Sequence, residues 1–464
     1  VKISVAISSC PNDTFSFYYF LHEPPEGIEF ETHYLDIQQL NEKALQGKFD
    51  IVKASYYTGL KIRDRYTIMR SGSAIGFGAG PILISRKNTF PNLPLWRVAL
   101  PGKDTTAHVL FNFFMEKSFP EIEVQKEFMV FSDIMDAVQN NSVDAGVVIH
   151  EGRFVYQEQS LHLLQDLGEF WETNTGFPVP LGGIFMRKSM EPAIAQLLEN
   201  HLQNSVRRAL QHREKKDADY SGMLPYIREY SQEISESVLE SHIQTYVNNE
   251  TVSLSETGEK AIAFFFEEAA RQEIKMKKDA LRTAIQEHSY RENHVEMFTL
   301  ASGKKSPYYF DLKKTLLNPA FLETAAELLL ADMEKTLGRF PDAVAGLTMG
   351  ADPLIYAIVL EAHRRGKQIY PVVVRKVAKD HGSGKRAEGL LSRLPVDPLV
   401  VLIDDVITTG GSTLQAFNAM KELKYNPHYA FCVLDRKEGG RENLTAEGVM
   451  LHSLFSLEDF REQK

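Results

Sequence analysis

The chain opens on an alternation of apolar and polar positions, Val1-Lys2-Ile3-Ser4-Val5-Ala6-Ile7, the period-two pattern of a strand. Short β-rich runs recur at 50–52, 81–84, 97–99 and 145–149. Between them, residues 37–46 and 133–140 place their apolar side chains at helical spacing. From 190 to 271 the pattern turns helical, and 202–212 and 259–271 each pair an apolar stripe with a charged opposite face. Gln272-Glu273-Ile274-Lys275-Met276-Lys277-Lys278 then reads as a charged connector. It predicts two parts, residues 1–274 and 275–464. The second begins with a helix near 279–288 and a turn at Ser302-Gly303. Strands follow at 343–347, 369–374, 399–403 and 429–434, interleaved with helices. Alternating strands and helices predict an α/β fold class in both parts, with parallel pairing and right-handed crossovers in the second. No internal repeat is present.

Composition narrows the function classes. A chain of 464 residues exceeds what one core usually serves, and 43% hydrophobic with 25% charged residues is ordinary for a globular protein. A formal net charge of −10 disfavours a nucleic-acid surface but leaves room for local cationic clusters that hold small anions. Two cysteines, Cys10 and Cys432, give no disulfide framework. No run approaches the roughly 18 apolar residues of a membrane span. The N-terminal strand shows no leader pattern, so a cytoplasmic location is expected.

The strongest chemical signal lies in the second part. The apolar run Leu399-Val400-Val401-Leu402-Ile403 leads into Asp404-Asp405, then into Thr408-Thr409-Gly410-Gly411-Ser412-Thr413, with a helix expected from Leu414. Acids at the carboxyl end of a buried strand sit where open α/β sheets bind ligands. Glycine-freed amides, a helix N-terminus and hydroxyls together can cradle a phosphate. The paired carboxylates suit ribose hydroxyls and a nearby Mg²⁺. A capped helix after a tight turn would use the same residue types, but the full order of strand, acid pair and loop favours the ligand site.

This segment resembles the ribose-phosphate signature of type I phosphoribosyltransferases, and its surroundings resemble the orotate phosphoribosyltransferases. Phe298-Thr299-Leu300-Ala301-Ser302-Gly303-Lys304-Lys305-Ser306-Pro307-Tyr308-Tyr309-Phe310-Asp311 is similar to that family's N-terminal motif. Arg375-Lys376-Val377-Ala378-Lys379-Asp380-His381-Gly382 resembles its mobile loop, and Leu434-Asp435-Arg436 its later strand end. The resemblance implies a parallel-sheet transferase that moves phosphoribosyl from phosphoribosyl pyrophosphate to orotate with Mg²⁺ near Asp404 and Asp405. Lys379 and Asp405 would be catalytic. Arg375, Lys376 and His381 would face the leaving pyrophosphate, and Arg436 the orotate carboxylate. A homodimer through this part is also implied. Ala301 and Met349-Gly350 stand where some members carry lysines, and Lys313 and Lys314 are candidate replacements.

The first part is chemically quieter. Ser8-Ser9-Cys10-Pro11-Asn12-Asp13-Thr14 joins a strand to a helix, which suits either a polar ligand or a plain capped turn. Gly72, Gly76, Gly78 and Gly80 are dense but miss the dinucleotide spacing. His150 ends the buried run Ala145-Gly146-Val147-Val148-Ile149, with Glu151 and Arg153 near enough in sequence to tune it. Imidazole is the natural proton acceptor near neutrality. Cys10 reads more readily as a buried thiol than as a nucleophile.

These segments, with Lys53-Ala54-Ser55-Tyr56, Arg63-Asp64-Arg65-Tyr66, Pro101-Gly102, Thr105-Thr106-Ala107, Ile149-His150-Glu151-Gly152-Arg153-Phe154 and His242-Ile243-Gln244-Thr245-Tyr246, resemble the 1,4-dihydroxy-6-naphthoate synthases of the futalosine route to menaquinone. The resemblance implies a two-lobed fold like the periplasmic solute-binding proteins. Lys53, Ala54, Ser55, Thr106 and Ala107 would line its cleft. His150 would act as base on cyclic dehypoxanthinyl futalosine, with no metal or cofactor. The competing reading is a solute-binding module fused to a purine-type or regulatory phosphoribosyltransferase.

Overall fold

The computed structural model describes residues 1–150, 152–231, 235–295, 297–299, 305–376 and 386–461. The chain divides into two compact units, Val1–Gln272 and Glu273–Lys464. The division falls inside a single helix, Glu256–His288. The expected connector at 272–278 is therefore helical. Its residues are good helix formers with no Gly or Pro among them, and propensity carries the helix through.

Unit 1 is built on two mixed sheets. In the first, strand Lys2–Ser8 lies between Glu29–Leu35 and Ile51–Ser55, parallel to both. Val179–Arg187 then pairs antiparallel with Ile51–Ser55, Tyr66–Ile68 and Ala74–Gly76. In the second, Leu95–Leu100 runs parallel to Glu123–Phe128 and Ala145–Val148, while Ile82–Ser85 joins antiparallel between Ala145–Val148 and His162–Asp166. The chain crosses from the first sheet to the second near residue 80 and returns near residue 168. A Cβ on Gly80 would stand 2.8 Å from the Gly168 Cα, so the two crossings meet where neither tolerates a side chain. This contact accounts for Gly80 within the glycine-dense stretch.

Helices Pro192–Lys215, Ala218–Tyr230 and Glu236–Tyr246 bury Leu198, Leu202, Met223, Ile227, Leu239 and Ile243 in the same core as Phe15, Phe17 and Phe20 of helix Pro11–His22. The stripe read at 202–212 is thus the C-terminal half of a longer helix.

Unit 2 carries a six-stranded sheet in the order Ala387–Gly389, Tyr370–Val374, Ala343–Leu347, Val400–Ile407, Tyr429–Asp435, Met450–Ser456. Every pairing is parallel except that of the edge strand Ala387–Gly389. Helices Pro319–Leu337, Asp352–Arg364 and Gly411–Glu422 supply Leu329, Ile355 and Phe417 to its cores. Two boundaries differ from expectation. Strand Val400–Ile407 runs on through the acid pair, because the parallel ladder to Tyr429–Asp435 extends to the Ile407–Asp435 pair. The following helix starts at Gly411 rather than Leu414, capped by Gly410 at φ 77°. No helix among the described residues is long and apolar enough to cross a membrane.

Candidate functional sites

Unit 1 gathers its chemistry in one cleft. Strand Ile51–Ser55 presents Lys53 and Ser55 to it, and the N-terminus of helix Thr106–Ser118 presents Thr106 and Ala107. His150 arrives from the end of strand Ala145–Val148. Ala54 is fully buried and does not line the cleft, because alternate residues of a strand face opposite ways. Only its backbone could serve the ligand.

The floor is ionic. Lys53 Nζ lies 2.9 Å from Asp13 Oδ1, with the two residues 4% and 2% exposed. Asp13 also accepts hydrogen bonds from Ser8 Oγ at 2.6 Å and Asn12 Nδ2 at 3.0 Å, while Lys53 donates to the Gly72 carbonyl at 3.3 Å. A buried pair survives when hydrogen bonds meet most of its remaining donors and acceptors; both Asp13 oxygens are met here, and Asp13 and the Gly72 carbonyl take two of the three Lys53 N–H groups. Ser55 is held from behind by Asn41, whose Oδ1 accepts from the Ser55 amide at 2.9 Å.

His150 adopts φ 54°, a left-handed conformation uncommon for a residue with a side chain. Its Nδ1 stands 3.0 Å from the sulfur of Cys10, at the start of helix Pro11–His22. Cys10 is therefore an orienting partner of the imidazole and not an isolated buried thiol. Arg153, close to His150 in sequence, is engaged with other groups. Its guanidinium donates to the Gly80 carbonyl at 2.8 Å and pairs with Asp166 at 2.5 Å, bracing the inter-sheet crossings. Glu151 lies outside the described residues.

Asp13, Thr105, His242 and Tyr246 also line the cleft, and the sequence reading did not single them out as site residues. Asp13 sat inside a segment noted for ligand binding. His242 and Tyr246 lie in the segment 242–246 that shares in the family resemblance, but on a helix whose apolar stripe by itself looks like any core helix.

In unit 2, Asp404 is buried and its Oδ2 accepts from Thr413 Oγ1 at 2.8 Å, tying the acid to the first turn of helix Gly411–Glu422. Burial, then the neighbouring Asp405 carboxylate, pushes Asp404 up to about 7. The acid pair is an oxygen donor set with no ion-pair partner among the described residues, which fits Mg²⁺. By helix geometry, the first-turn amides of Gly411, Ser412 and Thr413 have no intrahelical acceptor, and they open beside the Thr408-Thr409 loop. Asp405 shares a depression with Lys313, Met349, Gly350 and Asp352, so Lys313 is brought to the position where lysines are missing; Lys314 is not.

Arg436 is 5% exposed, and its Nη2 donates to the Tyr308 carbonyl at 3.0 Å and pairs with Glu438 at 2.8 Å. Its Nε is buried without a hydrogen-bond partner. The guanidinium thus stands against the segment at 305–310, with its Nε–H unused. Arg375 pairs with Glu388 at 3.0 Å, and Lys376 is exposed. Lys379, His381 and Ala301 lie outside the described residues. Glu323, Glu327 and Glu361 cluster closely enough for a metal, but Lys277, Arg364 and Arg365 already neutralise them.

Comparison with known proteins divides the chain at the same place. A family model described as menaquinone biosynthesis matches residues 3–271. A 1,4-dihydroxy-6-naphthoate synthase of Thermus thermophilus is 37% identical over 268 residues, 58% of this chain and 93% of the relative. An orotate phosphoribosyltransferase of Leptospira biflexa is 42% identical over 183 residues, 39% of this chain and 97% of the relative. A crystal structure of a protein from Archaeoglobus fulgidus superposes with a TM-score of 0.53 at 26% identity, covering 59% of this chain and 98% of that one.

Proposed function

Because the chain belongs to the menaquinone-biosynthesis family through residues 3–271 and to the orotate phosphoribosyltransferases through its second unit, we propose a residue-level account of a bifunctional enzyme. One region is a 1,4-dihydroxy-6-naphthoate synthase and the other an orotate phosphoribosyltransferase, a lyase and a glycosyltransferase on one chain.

In the lyase, His150 is the base. The observation that carries this is its placement: an imidazole held in a left-handed backbone conformation at the cleft, with Nδ1 against the Cys10 sulfur. His150 removes a hydroxyl proton from cyclic dehypoxanthinyl futalosine while the adjacent carbon–carbon bond breaks, and the naphthoate leaves as a stabilised enolate. One placed base suffices for this, without a metal. The substrate carboxylate fits the first-turn amides of Thr106 and Ala107, where a helix N-terminus favours negative charge. Lys53, neutralised by Asp13, and Ser55 offer hydrogen bonds to the remaining oxygens. The two sheets joined by two crossings support a two-lobed architecture like that of the periplasmic solute-binding proteins, with the ligand between the lobes.

In the transferase, the amides and hydroxyls of Thr408, Thr409, Gly410, Gly411, Ser412 and Thr413 take the ribose phosphate, and Asp404 and Asp405 take the ribose hydroxyls. The same carboxylates would hold Mg²⁺, directly or through water, and the ion would neutralise charge on the pyrophosphate. Arg375, Lys376, Lys379 and His381 stabilise the charge that grows on the leaving group. Arg436 takes the orotate carboxylate in exchange for Glu438. Exposed Leu317, Met349, Tyr356 and Leu360 support a homodimer through this unit. Cysteines present as thiols fit a cytoplasmic enzyme.

The test is direct. The purified protein should release 1,4-dihydroxy-6-naphthoate from cyclic dehypoxanthinyl futalosine without added metal. With phosphoribosyl pyrophosphate and Mg²⁺ it should consume orotate in preference to hypoxanthine or adenine. Preference for a purine, or no naphthoate, would refute the corresponding half.

A further inference from the structure

His242 is the most conspicuous polar group in the unit 1 cleft that neither the base nor the carboxylate contacts employ. It lies on helix Glu236–Tyr246, lines the cleft and is 1% exposed. Neither of its ring nitrogens has a hydrogen-bond partner. Buried imidazoles are normally satisfied by protein groups, and one left with both nitrogens unpaired is held for something else. Its neighbours are rings: Tyr246 at 5.0 Å between centroids, Phe154 at 6.0 Å and His150 at 6.4 Å. None of these packs a donor or acceptor against it.

We infer that His242 contacts the substrate and donates a hydrogen bond to the oxygen on which negative charge collects as the carbon–carbon bond breaks. The inference rests on the lyase reading of this cleft and adds a second group to it. His150 and His242 stand side by side, their planes 27° apart, so one substrate can reach both. Their duties differ because their surroundings differ. Burial, and then the proximity of His150, pushes the His242 pKa down to about 3, so its ring stays neutral and is a poor base. A neutral imidazole still offers one N–H, and such a ring can polarise a carbonyl.

The step balances. His150 takes the hydroxyl proton, and the O–H electron pair becomes the new carbonyl. The breaking carbon–carbon pair moves through the conjugated system onto the ring oxygen, where the His242 N–H meets it. The proton held by His150 then returns to that enolate oxygen and gives the phenol. No oxidant or co-reactant is consumed.

Two variants test the assignment. His242→Phe keeps the aromatic volume and removes both nitrogens, while His242→Gln restores an amide N–H. The Phe variant should melt at or above the parent temperature, since an unpaired buried polar group has been removed. Its kcat for naphthoate release should fall at least about tenfold with a smaller change in KM, because the contact strengthens in the transition state. The Gln variant should recover part of that loss. A Phe variant with parent kcat and KM overturns the inference and leaves the lyase reading standing. A parent protein without naphthoate release sinks both. Should the Phe variant fail to fold, the parent labelled with ¹⁵N-histidine and titrated with 1,4-dihydroxy-6-naphthoate decides: the His242 ring nitrogens shift on binding, and unmoved resonances refute the contact.

Discussion

His108 and His242 are both held neutral inside unit 1, their pKa values pushed down by burial to about 4 and about 3 from an ordinary 6.5. Above pH 6.5 the folded and unfolded chains alike carry them uncharged. Below it the unfolded chain takes up protons that the folded one refuses, so stability is lost as pH falls from 6.5 toward those values. Each group contributes a slope of at most ~1.4 kcal/mol per pH unit. Urea unfolding of unit 1 between pH 4 and 7 should show this acid limb, and His242→Phe should flatten it by about one proton. An unchanged slope would contradict the burial argument. In unit 2, Arg436→Lys keeps the charge but loses the planar fork. Orotate use should then weaken at least about tenfold, or ~1.4 kcal/mol, with phosphoribosyl pyrophosphate affinity little changed. Steady-state kinetics with each substrate varied will show whether the loss is confined to orotate. Residue identities such as Lys53 and His150 could be read from sequence because short motifs carry them. The Asp13 partner of Lys53 and the Cys10 partner of His150 could not, since both arise only when helix Pro11–His22 docks beside strands distant in the chain.

Element by element, the apolar inner strands were legible, whereas the edge strands Glu29–Leu35, Glu123–Phe128, His162–Asp166 and Met450–Ser456 and the interrupted strand Val179–Arg187 were not. Val179–Arg187 pairs with three strands of the first sheet, yet Pro180, Gly182 and Gly183 give it the composition of a loop. Its glycines are there for space: a Cβ on Gly183 would come within 2.9 Å of the buried Tyr56 ring. Helix Glu256–His288 misled in the opposite sense. A change of domain suggested a break, whereas local propensity, together with the Lys277 pairing to Glu273 at i,i+4, kept the helix whole. The crossings between the sheets of unit 1 supply a test at this scale. Gly80→Ala would force a Cβ against Gly168 backbone, and overpacking of that kind costs about 1–3 kcal/mol. Chemical denaturation should report a loss in that range, and an unaffected midpoint would show that the crossings do not meet as described.

At the scale of the molecule, each unit owns a complete core. Phe265 and Ala269 of the long helix serve the first, and Leu281 and Ile285 serve the second. Separate expression of residues 1–274 and 275–464 should therefore yield two folded proteins, each retaining its own reaction. Circular dichroism showing either fragment unfolded would contradict that independence. The central claim, two active sites on one chain that do not share residues, is tested most directly by assaying His150→Ala and Asp405→Asn side by side in both reactions. A crossed pattern is expected: His150→Ala abolishes naphthoate release and leaves orotate turnover at the parent rate, and Asp405→Asn does the reverse. Loss of both activities in either variant, or parent-level naphthoate release in His150→Ala, would contradict it.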